Sequence, residues 1–174
     1  RYLMAAVPRI ASHVNGVRFL FAGDGETRQD LHRQAQRLGV ADRVTFTGYR
    51  TDVPDLLAAA DVVAAPSLFE GMPNVVMEAM ALGRPVVASA IPEMEQLITD
   101  GVNGILVPPA NPDALAAAIV SLLANPAMAA SLGRTAHQTI VERFSVDRMV
   151  RRYEHLYEVL VTGRRHPDER GQAW

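Results

Sequence analysis

Short apolar runs alternate with amphipathic stretches along most of the chain, and glycine or proline punctuates many of the joins. Residues 1–13 place Leu3, Met4, Val7 and Ile10 at helical spacing. Residues 17–22 (VRFLFA) form an apolar run that stops at Gly23, and residues 26–38 read as an amphipathic helix closed by Gly39. Residues 44–47 are rich in β-branched side chains and end at Gly48, after which Asp52 is placed to cap a short helix to about residue 60. Further strands are predicted over 62–65, 86–88 and 105–107, with helices over 73–82 and 91–99 between them. Beyond Pro108 and Pro109 the strand signals stop. Helices follow over 115–123, capped by Asn111 or Asp113, then over 127–143 and 146–161.

Strands separated by single helices imply βαβ units and a parallel sheet. The fold class expected is therefore α/β, a doubly wound parallel sheet with extra C-terminal helices, and its ligand belongs at the carboxyl ends of the strands. The domain is expected over residues 1–161, and a polar tail over 162–174 is expected to be disordered. Five strands are counted. Because the chain opens at a helix with neither an initiator Met nor a capping residue, it reads as a piece of something longer whose first strand lies upstream.

Composition narrows the function classes. The chain holds no cysteine, which excludes disulfides and thiolate metal sites. Its net charge of -2 gives no electrostatic case for nucleic acid. No apolar run reaches the roughly 18 residues of a membrane span, so a soluble cytoplasmic protein is expected. The five histidines lie far apart, and no metal site is expected; a solvated surface position is the reading for each. Arg143, Arg148, Arg151 and Arg152 form a modest basic cluster, read as a solvated face or a face packed on a further domain rather than a membrane-surface element.

Two nucleotide-binding fingerprints fail. Gly23-Asp24-Gly25 opens like a dinucleotide turn, but Arg28 stands where the third glycine belongs and no acid ends the following strand. No P-loop element is present. Ser67 and Ser89 end strands without the G-x-S-x-G setting of a hydrolase nucleophile.

The segment 62–83 (VVAAPSLFEGMPNVVMEAMALG) carries the chemistry. Pro73 is read as the first helical residue, where its missing N–H costs nothing. The amides of Asn74, Val75 and Val76 are then free to meet phosphate oxygens, and Gly71 lets a ligand approach the backbone. Glu70 and Glu78 bracket this position. Glu78 lies among Val75, Val76, Met77, Ala79, Met80 and Leu82, so it reads as a buried carboxylate in need of partners. Ribose hydroxyls would satisfy Glu78, and sugar hydroxyls would satisfy Glu70. A buried arginine beside Glu78, with Glu70 a solvated loop acid, satisfies the same pattern.

Glu70 and Glu78, with seven residues between them, resemble the E-x7-E motif of retaining glycosyltransferases of the family-4 type. The words FAGDGE (21–26), RVTFTGY (43–49), the segment 59–89 and DGVNGILVPPANPDALAAAI (100–119) resemble that family in type and order. The resemblance implies the C-terminal, Rossmann-like half of a two-domain GT-B enzyme. It implies that Glu78 holds the ribose and that Glu70, the catalytic residue, holds a donor-sugar hydroxyl. Backbone from Gly71 through Met72, Pro73 and Asn74 to Val75 would meet sugar and diphosphate, Gly25 would line the phosphate pocket, and Tyr49 and Arg50 would meet the base. The implied substrate is a nucleotide-diphosphate-sugar, with no metal or other cofactor, and the implied partner is an N-terminal domain. Association of the parent with the inner membrane surface is compatible with the resemblance. The family's diphosphate-clamping Arg and Lys fall upstream of Arg1, and Ala90 stands where many members have glycine. On these grounds the chain alone is expected to be silent in catalysis and weak in donor binding. Two other classes fit parts of the pattern: a sugar-nucleotide epimerase of similar architecture, and a non-catalytic nucleotide-binding module.

Overall fold

A computed structural model describes residues 1–163; the tail expected to be disordered lies almost wholly outside the described residues. The element order is α1 (Tyr2–His13), β1 (Phe19–Ala22), α2 (Arg28–Arg37), a 3-10 turn (Ala41–Arg43), β2 (Val44–Gly48), α3 (Val53–Ala59) and β3 (Val63–Ala65). It continues through α4 (Asn74–Ala81), β4 (Val86–Ser89), α5 (Pro92–Leu97), β5 (Ile105–Val107), α6 (Pro112–Ala124), α7 (Pro126–Arg143) and α8 (Val146–Thr162). This is the α/β alternation read from the sequence.

All strand pairs are parallel, but they form two sheets. β1 pairs with β2, and β4 lies between β3 and β5. One apolar core nevertheless spans both. Met4, Val7 and Ile10 of α1 and Leu115, Ile119 and Leu122 of α6 pack in one cluster with Phe19 of β1, Val87 of β4 and Val107 of β5. α1 and α6 lie against each other over this core. On the opposite side a second cluster joins Val76, Ala79 and Met80 of α4 to Val63, Val86 and Ala88 of the three-stranded sheet. β4 is buried at all four residues because it is covered from both sides.

Side chains decide several helix ends. Asn111, not Asp113, caps α6 by accepting the Ala114 N–H at 3.0 Å, and Asn125 caps α7 by accepting the Met128 N–H at 3.1 Å. Asp52 precedes α3 but makes no capping bond, because Arg50 holds its carboxylate. α5 stops at Leu97, two residues short of the expected end. The buried amide of Asn103 accepts the Thr99 N–H at 2.7 Å and donates to Leu97 O at 3.2 Å, so it takes the bonds that another helical turn would use. Asn103 also donates to Thr139 Oγ1 of α7 at 3.1 Å.

α4 ends in a Schellman motif. Gly83 has φ +66°, its N–H donates to Met80 O, and the Arg84 N–H donates to Ala79 O. α7 crosses this turn at Gly133, which is buried; a Cβ there would stand 2.1 Å from Gly83 O. His137, one turn on, lies 2.6 Å from Ala81 O through Nδ1. Among the described residues no single helix is long and apolar enough to cross a membrane.

Gly133→Ala is expected to destabilise the domain by about 3 kcal/mol, the upper end of ordinary overpacking, because its obstacle is backbone and cannot rotate away. Urea denaturation checks this through a lower midpoint at an unchanged slope.

Candidate functional site

The expected site residues fall in two groups at the carboxyl ends of the parallel strands. The first lies after β1 and β2. Gly23 has φ +116° and donates its N–H to Gly48 O at 2.8 Å, which bends the two strand ends together. This brings the turn after β1 against the end of β2, with the side chains of Asp24 and Arg28 next to Gly48. Both arginines here are engaged. Arg28 donates to Asp24 Oδ1 at 2.9 Å, and Arg50 donates through Nε to Asp52 Oδ1 at 2.7 Å. The Arg50–Asp52 hydrogen bond raises the Arg50 guanidinium further above its ordinary value and holds the Asp52 carboxyl below the usual carboxylate range. Tyr49 is 78% exposed.

The second group is the loop from β3 into α4 and the first turns of that helix. Pro66 and Pro73 bracket the loop. Pro73 is the N-cap with φ -80° and ψ 65°, so α4 begins at Asn74, one residue later than its proline predicts. The Asn74 N–H is not free: it donates to Met72 O at 2.9 Å. The amides without a backbone partner at this helix end are those of exposed Val75 and buried Val76, since the Met77 N–H already returns to Pro73 O. These two unpaired amides and the positive end of the helix dipole remain able to meet an anion.

Glu78 is exposed, which corrects the expectation of a buried carboxylate. The apolar composition of α4 hides a clear division of faces. Val76, Ala79 and Met80 are turned into the core, while Asn74, Val75, Glu78 and Ala81 lie open. Glu78 therefore needs neither a buried arginine nor any partner within the chain, and it is available to a ligand. Glu70 is half-buried. Its Oε1 accepts the Ser67 hydroxyl at 2.6 Å. Leu68, Phe69, Met72 and Val75 stand exposed around these carboxylates.

The structure thus places Gly25 and Tyr49–Arg50 just past the Gly23–Gly48 bridge, on the two segments that the bridge joins. It gathers Glu70, Gly71, Met72, Pro73, Asn74, Val75 and Glu78 on one loop–helix unit. No hydrogen bond or ion pair joins the two groups among the described residues. Ser67 joins the site as well, although its sequence setting excludes only a nucleophile and assigns it no other role. The signal that could have found it is its spacing, a hydroxyl three residues before an acid in a loop. The surface reading of the histidines holds for His13, His32 and His137, all exposed, although His32 also lies on Phe46 with ring centroids 4.0 Å apart and His137 is tied to α4; His155 is half-buried. His166 lies outside the described residues. No group of three or more His, Asp or Glu placed to hold a metal occurs among the described residues.

Residues 1–125 match the family model described as glycosyl transferases group 1. The lipopolysaccharide core biosynthesis glycosyltransferase LpsE of Rhizobium meliloti is 36% identical over 143 residues, covering 82% of this chain and 41% of that protein. The crystal structure of Anabaena HepE in complex with UDP and glucose superposes with a TM-score of 0.80 at 32% identity, covering 92% of this chain and 44% of that one. Staphylococcus aureus TarM, crystallised with UDP, superposes with a TM-score of 0.85 at 27% identity, covering 90% of this chain and 32% of that one. The chain spans about two fifths of the length of the curated relatives it matches. By the family model over most of its length, with relatives and solved structures that agree, the chain belongs to the glycosyl transferases group 1 family.

Proposed function

We propose that this chain is the donor-binding half of a retaining glycosyltransferase that moves a sugar from a nucleoside diphosphate to an acceptor hydroxyl. The observation that carries the reading is the α4 entry, where two amides without a backbone partner at a helix N-terminus lie between two carboxylates, half-buried Glu70 and exposed Glu78. HepE, similar over most of this chain, was crystallised with UDP and glucose and supports a ligand of that chemistry.

In this reading the diphosphate lies against the Val75 and Val76 amides. Negative charge grows on the leaving phosphate oxygen as the C1–O bond breaks, and the helix end is oriented toward that charge before reaction begins. Glu78, one turn along the open face, accepts hydrogen bonds from the ribose. Glu70, nearer the loop tip, accepts from a donor-sugar hydroxyl and fixes the ring for attack. The electron pair of the broken bond leaves with the nucleoside diphosphate. The acceptor oxygen bonds to C1 on the face the leaving group vacates, and its proton passes to the departing phosphate oxygen. Backbone at Tyr49 and Arg50, beside Gly25, meets the base and the near phosphate. Protein groups rather than a metal meet the diphosphate charge.

The remaining length of the relatives supplies the acceptor site in this reading and covers the exposed apolar rim of Leu68, Phe69, Met72 and Val75. A strand from that part of the protein, placed between β1 and β3, would join the two parallel sheets in the order of a doubly wound fold.

Arg28 and Arg50, the arginines at the first strand ends, are both paired to aspartates. The chain alone is therefore expected to bind UDP and other nucleoside diphosphates only weakly, and to transfer no sugar. In the protein that carries the whole family length, Glu78→Ala is expected to weaken nucleoside diphosphate affinity by about ten- to a hundredfold, the worth of one or two hydrogen bonds to a charged group. Calorimetric titration measures this, and an unchanged affinity would remove the ribose from Glu78. The anomeric configuration of the product, read by NMR, checks retention; an inverted product would refute it. Glu70→Gln is expected to abolish most transfer in the same assay while leaving UDP affinity within about threefold, since the sugar rather than the nucleotide meets Glu70.

A further inference from the structure

We propose that Ser67 is a positioning residue for sugar transfer: its hydroxyl holds the Glu70 carboxylate in the orientation from which Glu70 meets the donor. The inference rests on the role given to Glu70 above.

The loop around Glu70 has few means of holding its own shape. Prolines at 66 and 73 donate no hydrogen bond. Among the described residues no backbone hydrogen bond involves residues 67–71. Leu68 and Phe69, between Ser67 and Glu70, are exposed and anchor nothing; Phe69 is 85% exposed. The Ser67–Glu70 bond is the hydrogen bond that closes this stretch.

Its geometry suits a positioning role. Only Pro66 separates Ser67 from β3, and β3 is bonded along its length to β4 within the buried sheet. The serine backbone is therefore held at a fixed place by the strand, and the hydroxyl passes that position to the acid three residues on. At 2.6 Å the contact has the length of an O–H···O⁻ bond, in which Ser67 donates and the carboxylate accepts. One carboxylate oxygen is engaged. The second stays open to a sugar hydroxyl, and rotation of the group is stopped. Both residues are half-buried, which lessens the competition of water for the bond.

A serine that acts through Glu70 affects the rate of the chemical step more than binding, because the nucleotide is held elsewhere. In the protein that carries the whole family length, Ser67→Ala is expected to lower kcat by about ten- to a hundredfold, the scale of a misplacement near 1 Å. The donor KM is expected to stay within about threefold, and the urea midpoint to stay close to the parent's. Ser67→Thr, which keeps the hydroxyl, is expected to restore most of kcat. Added to Glu70→Gln, Ser67→Ala is expected to cost nothing more. If Ser67→Ala keeps full kcat while Glu70→Gln is inactive, Ser67 has no such role and the role of Glu70 stands. Ser67 likewise loses the role if KM rises with kcat unchanged, or if the alanine effect is undiminished in the Glu70→Gln background. If Glu70→Gln itself transfers sugar at the parent rate, the underlying reading of Glu70 fails, and the Ser67 proposal fails with it.

Discussion

The crossing of α7 over the end of α4 is the contact on which the rest of this site depends. Gly133 lets one backbone rest on the other at a separation no side chain would allow, and Gly83 turns the chain away beneath it. The crossing holds α4 at its C-terminal end. Its buried stripe of Val76, Ala79 and Met80 then fixes the rotation of the helix against the sheet. Once place and rotation are set, so is the direction in which the N-terminus points. The open amides, Asn74 and Glu78 follow as consequences of packing one to two turns away. α7, remote in sequence from the site, thus decides where the site faces.

Around this rigid piece the chemistry is left exposed. Glu78 is exposed and has no hydrogen-bond or ion-pair partner among the described residues, and four exposed apolar side chains flank the carboxylates. The cations at the first two strand ends are held by their own aspartates. In the proposed reading, the rest of the protein covers this exposed apolar rim around Glu70 and Glu78. The short length of this chain beside its relatives fits that arrangement, as does the division of its strands into two sheets.

Much of the fold was legible because period and punctuation agreed. The apolar runs gave all five strands, and Gly39, Gly48 and Gly83 ended elements where expected, each with positive φ. What could not be read was tertiary. Nothing local distinguishes Asn103 from a turn asparagine, yet its amide ends α5 early by bonding Thr99 and Leu97, and it also reaches across to α7. Asp52 has the residue type of a cap, but a neighbouring arginine claimed it. The exposure of Glu78 was hidden for a related reason. Composition showed a helix apolar almost all round, whereas burial is set by which stripe meets the sheet, and the stripe that does so is only Val76, Ala79 and Met80. The pairing of Glu70 with Glu78 was visible in the spacing. The bond from Ser67 was not, because it depends on how the loop folds between two prolines.

The central claim is that a nucleotide sugar is held at the entry to α4. A crystal structure of the protein that carries this chain, grown with UDP, tests it most directly. Phosphate oxygens are expected within hydrogen-bond distance of the Val75 and Val76 amides, with ribose hydroxyls on Glu78. A well-ordered nucleotide bound elsewhere, with the α4 entry open and Glu78 facing solvent, would contradict it.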